Sequence, residues 1–122
     1  QKGCNKVILL GALGTRLDHS ISNVLLLKKL TDRGVEGILA DEHNEVRLIN
    51  STIEIVREEN TFITLLPIDG NAEGVTTEGL YYPLKDATLK TGSSWGVSNR
   101  FSAEKASVRL KKGYLLVVKA RD

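Results

Sequence analysis

Methionine is absent from the 122 residues, and cysteine occurs once, at Cys4. A single thiol excludes an intrachain disulfide and a cysteine-cluster zinc site, which fits a reducing, cytoplasmic setting. An excess of one charge is missing too, since 17 Lys+Arg against 15 Asp+Glu leave a net charge of +2. So small a surplus gives no electrostatic reason to expect nucleic acid or an anionic membrane as partner. Apolar runs such as 24–27 and 114–118 are far too short to span a bilayer. The opening Gln1-Lys2-Gly3-Cys4 lacks the apolar stretch of a signal peptide. With no initiating Met, the chain is expected to be a fragment of something longer. What is present is ordinary: 41% hydrophobic residues and 11 glycines, the usage of a globular domain. The length allows one domain, or one domain and a piece of another.

Local patterning changes near Gly34. Before it stands one strand-like run, Lys6-Val7-Ile8-Leu9-Leu10, closed by Gly11-Ala12-Leu13-Gly14. Residues 18–33 then contain neither Gly nor Pro, and Ile21, Val24, Leu25, Leu27 and Leu30 spread apolar positions around more than one face. This reads as a helix buried on two sides, capped by Asp18 or Ser20 and ended by Gly34 in a left-handed conformation. After Gly34, short runs recur every 8–12 residues or so, the spacing of a β-sandwich or barrel. They lie at 37–40, 45–50, 52–57, 62–67, 79–83, 94–98, 106–110 and 114–119. Turn chemistry separates them at Glu42-His43-Asn44, Glu58-Glu59-Asn60, Asp69-Gly70-Asn71 and Lys111-Lys112-Gly113. The expected fold is mainly β, a C-terminal β-sandwich preceded by a strand–helix remnant of an α/β, Rossmann-like domain. A lone strand–helix unit cannot bury its own apolar surface. Its partners are expected in a missing N-terminal part.

Two stretches carry chemistry. In Gly11-Ala12-Leu13-Gly14-Thr15-Arg16-Leu17-Asp18-His19, glycines between a strand and a helix let N–H groups converge on an anion. Arg16 would add a bidentate phosphate contact, and Asp18 would hold a metal or cap the helix. The segment lacks both the Gly-Lys-Ser/Thr ending of a P-loop and the Gly-x-Gly-x-x-Gly fingerprint. A tight turn with Asp18 as cap and Arg16 solvated explains the same residues. His19 reads as a partly buried helix residue and His43 as solvated, with no ligand spacing between them.

The second stretch runs from Gly74 to Asn99. Gly74-Val75-Thr76-Thr77-Glu78-Gly79-Leu80-Tyr81-Tyr82-Pro83 and Gly92-Ser93-Ser94-Trp95-Gly96-Val97-Ser98-Asn99 set small polar residues beside aromatics. Such a surface suits a flat ring with polar edges. The plainer reading puts Tyr81 or Tyr82 on an inner sheet face, Trp95 half buried, and Ser98-Asn99 in a turn.

In this order the segments resemble the C-terminal part of thiamine pyrophosphokinases. The matching pieces are Gly11-x-x-Gly14-x-Arg16-x-Asp18-His19 with Asn23, Gly74-Val75-Thr76-x-x-Gly79-Leu80-x-Tyr82-Pro83-Leu84, Gly92, Val97-Ser98-Asn99 and Gly113-x-Leu115-Leu116. The resemblance implies transfer of the pyrophosphoryl group of ATP to thiamine, giving thiamine diphosphate and AMP. It implies Mg²⁺, and homodimers whose active sites lie between one subunit's α/β domain and the other's sandwich. Residues 1–34 would be the last strand–helix unit of the catalytic domain and 35–122 the thiamine-binding sandwich. Gly11, Gly14 and Arg16 would face the nucleotide, with Arg16 and Asp18 catalytic and Asp18 a metal ligand; Ser98 and Asn99 would hold thiamine, joined by Trp95, which matches no family position and is added as a stacking ring from the residues alone. Thr76, Thr77 and Tyr82 would shape the sandwich wall. The family's aspartate-rich motifs lie upstream of this span, so the 122 residues alone are expected not to turn over. The rival readings are a non-catalytic β-sandwich binding or dimerisation module, and a small nucleotide-binding regulator built on the glycine turn.

Overall fold

Alternating apolar residues with a period of two set most of the strands. The computed structural model describes residues 6–10 and 16–121; Cys4 and the turn from Gly11 through Gly14 to Thr15 lie outside them. In chain order the elements are β1 (Lys6–Leu10), α1 (Leu17–Asp32), β2 (Glu36–Ala40), β3 (Asn44–Ile49) and β4 (Thr52–Val56). They continue with β5 (Thr61–Glu78), β6 (Ala87–Leu89), β7 (Lys105–Arg109) and β8 (Lys112–Arg121). The protein is mainly β, as its sequence predicts.

The strands run in the order β1-β2-β3-β8-β5-β7-β4, with β6 on β5. Only β1 and β2 pair in parallel among the described strands. The sheet curls because β5 serves two layers: it pairs with β8 from Thr61, and with β7 over Thr76, Thr77 and Glu78. Between the layers lies the main core, with Ile63, Leu65, Leu115 and Val117 facing Ile55, Val75, Ala106 and Val108.

On the other face, Leu27 of α1 is fully buried against a second cluster with Leu39, Val46, Leu48 and Leu116. Part of the apolar surface expected to need a missing partner is thus covered by this chain's own sheet. The helix is not buried on two sides, however. Leu17, Ile21, Leu25 and Leu26 are exposed, because β2 and β3 cover a single stripe. Its N-cap is Arg16, without a side-chain cap bond, rather than Asp18 or Ser20. At the other end Gly34, φ +74°, closes the helix as expected. Its N–H donates to Thr31 O and the Val35 N–H to Leu30 O, the two bonds of a Schellman motif.

Several expected boundaries shift. Asp69-Gly70-Asn71 is no turn between strands; it is a bulge inside the 18-residue β5, where the register with β8 slips between Ile68 and Glu73. Lys112 and Gly113 open β8 rather than turning into it. Residues 79–83 and 94–98 are not strands. The first makes one isolated bridge, Leu80 with Phe101, and Pro83 cannot donate to a ladder. The short β6 escapes the sequence pattern because three residues are too few to show a period.

Candidate functional site

The Ser98–Asn99 corner is built by laying residues 94–99 along β5. Ile63 and Asn99 exchange backbone bonds of 2.8 Å in both directions, and the Leu65 N–H donates to Gly96 O at 2.8 Å. This approach requires glycine: a Cβ at position 96 would stand 2.3 Å from Leu65 O. Beyond it Ser98 adopts φ +59°, a left-handed conformation that costs a non-glycine residue about 1–2 kcal/mol. The strain is held by Thr64, whose Oγ1 accepts the Ser98 N–H at 3.0 Å. The Ser98 side chain is left at the surface.

Asn99 is buried, at 7% exposure. Its Oδ1 accepts the N–H groups of Tyr82 and Arg100, at 3.1 and 2.9 Å, and its Nδ2 donates to Tyr82 O at 2.8 Å. The amide is therefore spent on the backbone, and its effect is to fix Tyr82 beside Ser98. Tyr81, Tyr82 and Trp95 are 64%, 74% and 73% exposed. Neither the inner-face placement of the tyrosines nor the half-buried Trp95 of the plainer reading holds. Tyr82 does not shape the sandwich wall either. The cause is the failure of strand pairing after Leu80, which turns the aromatic pair outward ahead of Pro83. Thr76 and Thr77 do serve the wall: their hydroxyls accept the Asp86 and Leu84 N–H groups.

The other predicted group sits at the start of α1. Arg16 and Asp18 form an exposed ion pair of 2.7 Å, and Asp18 Oδ1 accepts the His19 N–H at 2.9 Å. His19 is exposed rather than partly buried, and His43 is exposed as expected. Gly11 and Gly14 lie outside the described residues. Among the described residues no hydrogen bond or ion pair joins Arg16 or Asp18 to the Ser98–Asn99 corner. Nor do they contain a group of three His, Cys, Asp or Glu able to hold a metal. Asp18, already paired to Arg16, does not by itself fit a magnesium ion.

A family model described as "Thiamin pyrophosphokinase, vitamin B1 binding domain" matches residues 50–115, which contain β4 to β7, the loop of 94–99 and the start of β8. The chain belongs to the thiamin pyrophosphokinase family. It is 26% identical over 116 residues to the thiamine pyrophosphokinase of Bacillus subtilis (strain 168), covering 93% of this chain and 54% of that protein. Against thiamine pyrophosphokinase 2 of Oryza sativa subsp. japonica it is 31% identical over 121 residues, with 95% and 45% covered. The crystal structure of the Bacillus subtilis enzyme superposes with a TM-score of 0.92 at 24% identity, over 97% of this chain and 56% of that one. That likeness shows the shared fold. The chain spans about half the length of the curated relatives it matches.

No described helix of this family member is long and apolar enough to cross a membrane.

Proposed function

We propose that this chain forms the vitamin-side wall of a cytoplasmic thiamine pyrophosphokinase, which moves the pyrophosphoryl group of ATP to the hydroxyl of thiamine. The observation that carries the reading is the corner itself: a strained, surface-facing Ser98 beside a Tyr82 clamped by Asn99, inside the vitamin B1-binding match. In this proposal Ser98 hydrogen-bonds the edge of thiamine, Tyr82 and Trp95 offer ring faces, and Asn99 positions Tyr82. Residues 35–122 are the thiamine-binding domain, and residues 1–34 are the last strand–helix unit of the catalytic domain. Arg16 and Asp18, with Gly11 and Gly14, face the ATP phosphates at their own subunit's α/β domain, where the sandwich of the partner subunit in a homodimer completes the site. The thiamine hydroxyl attacks the β-phosphorus and gives its proton to water, the bond from that phosphorus to the α-phosphate oxygen breaks so that AMP leaves, and Arg16 neutralises charge on the phosphoryl oxygens. The magnesium ligands belong, on this reading, to the part of the enzyme outside these residues, with Asp18 at most an addition to them. The 122 residues alone therefore bind without turning over.

Trp95, the single tryptophan, supplies the test. Thiamine added to the chain is expected to quench its fluorescence, and Ser98→Ala is expected to weaken that binding roughly tenfold, the loss of one hydrogen bond to a charged ligand. A coupled assay for AMP release from the same chain is expected to stay at background. If millimolar thiamine leaves Trp95 unquenched, a non-catalytic binding or dimerisation module becomes the better account.

A further inference from the structure

A concavity of about 710 Å³ opens next to the corner, lined by Arg57, Arg100 and Arg121 together with Phe62, Tyr81 and Glu58. Its volume is that of a small-molecule site. The charges around it are unevenly spent. Glu58 is bound by Arg121 at 2.6 Å and by Lys119 at 2.9 Å. Among the described residues no carboxylate forms an ion pair with Arg57 or Arg100, although Glu59 stands on the same rim. Two arginines therefore line the concavity without an ion pair among the described residues, and its three arginines outnumber its two glutamates.

Both are mounted on a fixed frame. The Arg57 N–H donates to Glu104 O at 2.8 Å, and the Tyr81 N–H to Arg100 O at 2.9 Å. The Arg100 N–H is in turn held by Asn99, and its guanidinium lies over the Phe62 ring, 5.1 Å from the centroid. Beneath them Phe101 and Thr61 are buried. The planar fork of a guanidinium matches two oxygens of a phosphoryl group, and it is less costly to desolvate than an ammonium. The exposed ring of Tyr81 adds an apolar wall on the same side. We propose that this concavity binds a phosphoryl-bearing small molecule, its anionic oxygens taken by Arg57 and Arg100. The inference does not rest on the thiamine reading, which uses neither arginine.

Calorimetric titration of the whole chain with inorganic pyrophosphate tests it. Binding is expected in the millimolar range or tighter and to weaken as salt is raised. Arg57→Gln and Arg100→Gln are each expected to weaken it roughly tenfold, one charge-assisted contact apiece. Lys29→Gln, on the exposed surface of α1, is expected to change nothing. Parallel titrations with phosphate, AMP and thiamine diphosphate identify which phosphoryl compound the site prefers. Backbone amide shifts on adding pyrophosphate to the unaltered chain read the location without any substitution and are expected at Arg57, Tyr81 and Arg100. The proposal fails if no heat appears at about 10 mM pyrophosphate, a concentration that would populate even a weak site. It fails equally if the Arg57→Gln/Arg100→Gln pair binds as the unaltered chain does, or if the shifted amides lie elsewhere.

Discussion

The side chain of Asn99 grips the backbone of Tyr82 from both directions, accepting its N–H and donating to its carbonyl. Residues beyond Leu80 have left the ladder, so Tyr82 depends on that amide, between the Tyr81 N–H bond to Arg100 O and the Leu84 bonds to Thr77. Asn99→Ala strands the Tyr82 and Arg100 N–H groups, and an unmade buried hydrogen bond costs about 1–3 kcal/mol. Urea unfolding is expected to show a loss of that size. Quenching of Trp95 by thiamine is expected to weaken as well, although Asn99 itself is buried. Unchanged stability would mean that Tyr82 has another anchor.

Gly96→Ala places a Cβ 2.3 Å from Leu65 O. The carbonyl belongs to a strand paired on its other side with β8, so it cannot yield, and the loop must move away instead. Overpacking of this kind costs about 1–3 kcal/mol. The loss is expected in thermal unfolding, accompanied by faster exchange of the Leu65 amide, which donates to Gly96 O. Retention of both the stability and the slow exchange would contradict the close approach.

Two leucines on α1 separate the helix's own packing from its bare side. Leu27 is fully buried against Leu39 and Leu48, whereas Leu25 is 56% exposed. Leu27→Ala is expected to destabilise by about 2–5 kcal/mol, the range for a buried leucine. Leu25→Ala is expected to fall within about 0.5 kcal/mol of the unaltered chain, as surface changes do. Equal losses in urea titrations would mean that both stripes are covered in solution, as a second copy of the chain would do.

The sequence announces what depends on local periodicity. β1, α1, the Gly34 terminator and the inward alternation of Val46 and Leu48 were all readable, because each is written within one or two turns of chain. The strand failures have a common cause. Runs 79–83 and 94–98 carry strand-like residues, yet the lateral partner they would need is taken: β8 occupies one edge of β5, and residues 94–99 reach the other only as a bent loop. Pairing is a tertiary property, and propensity does not report it. The same reason explains Tyr82. Its neighbours Gly79 and Pro83 mark an irregular segment, but bonds to residues far along the chain, the Asn99 clamp 17 residues on and the Tyr81 bond to Arg100, decide how it is held. Ser98 and Asn99 were legible as a motif, while their division into a surface hydroxyl and a buried clamp was not. The uncovered stripe of α1 was underestimated because the composition of a helix does not say how many neighbours it has.

The helix is tied to the sheet by a polar clasp whose charge state sets a pH dependence. The Tyr114 hydroxyl of β8 donates to Asp32 at the end of α1, and Lys28 reaches the same carboxylate at 3.0 Å while lying 4.9 Å from the Tyr114 ring centroid. The Tyr114 bond first, and Lys28 next, hold Asp32 below its ordinary value of 3.8. The same contacts push Tyr114 above 10.0, chiefly through its bond to Asp32, and Lys28 above 10.5 for the same reason. A lowered carboxyl stabilises the fold above its unfolded value and loses that contribution as pH falls through the folded one. Raised phenol and ammonium groups do the reverse: they stabilise below pH 10 and release that stability as pH climbs through their folded values. The melting temperature is therefore expected to be flat near neutrality and to fall on both the acid and the alkaline side. Tyr114→Phe keeps a ring under Lys28 but removes the hydroxyl. It is expected to shrink the alkaline fall to the part owed to Lys28, and to reduce the acid fall without abolishing it. What remains on the acid side comes from Asp32, still held down by Lys28, from Asp41, held down by the His43 N–H and then the Asn44 N–H, and from Glu58, held down by Lys119. Melting curves of the two proteins between pH 3 and pH 11 check this. Superimposable profiles would mean that the clasp does not form in solution.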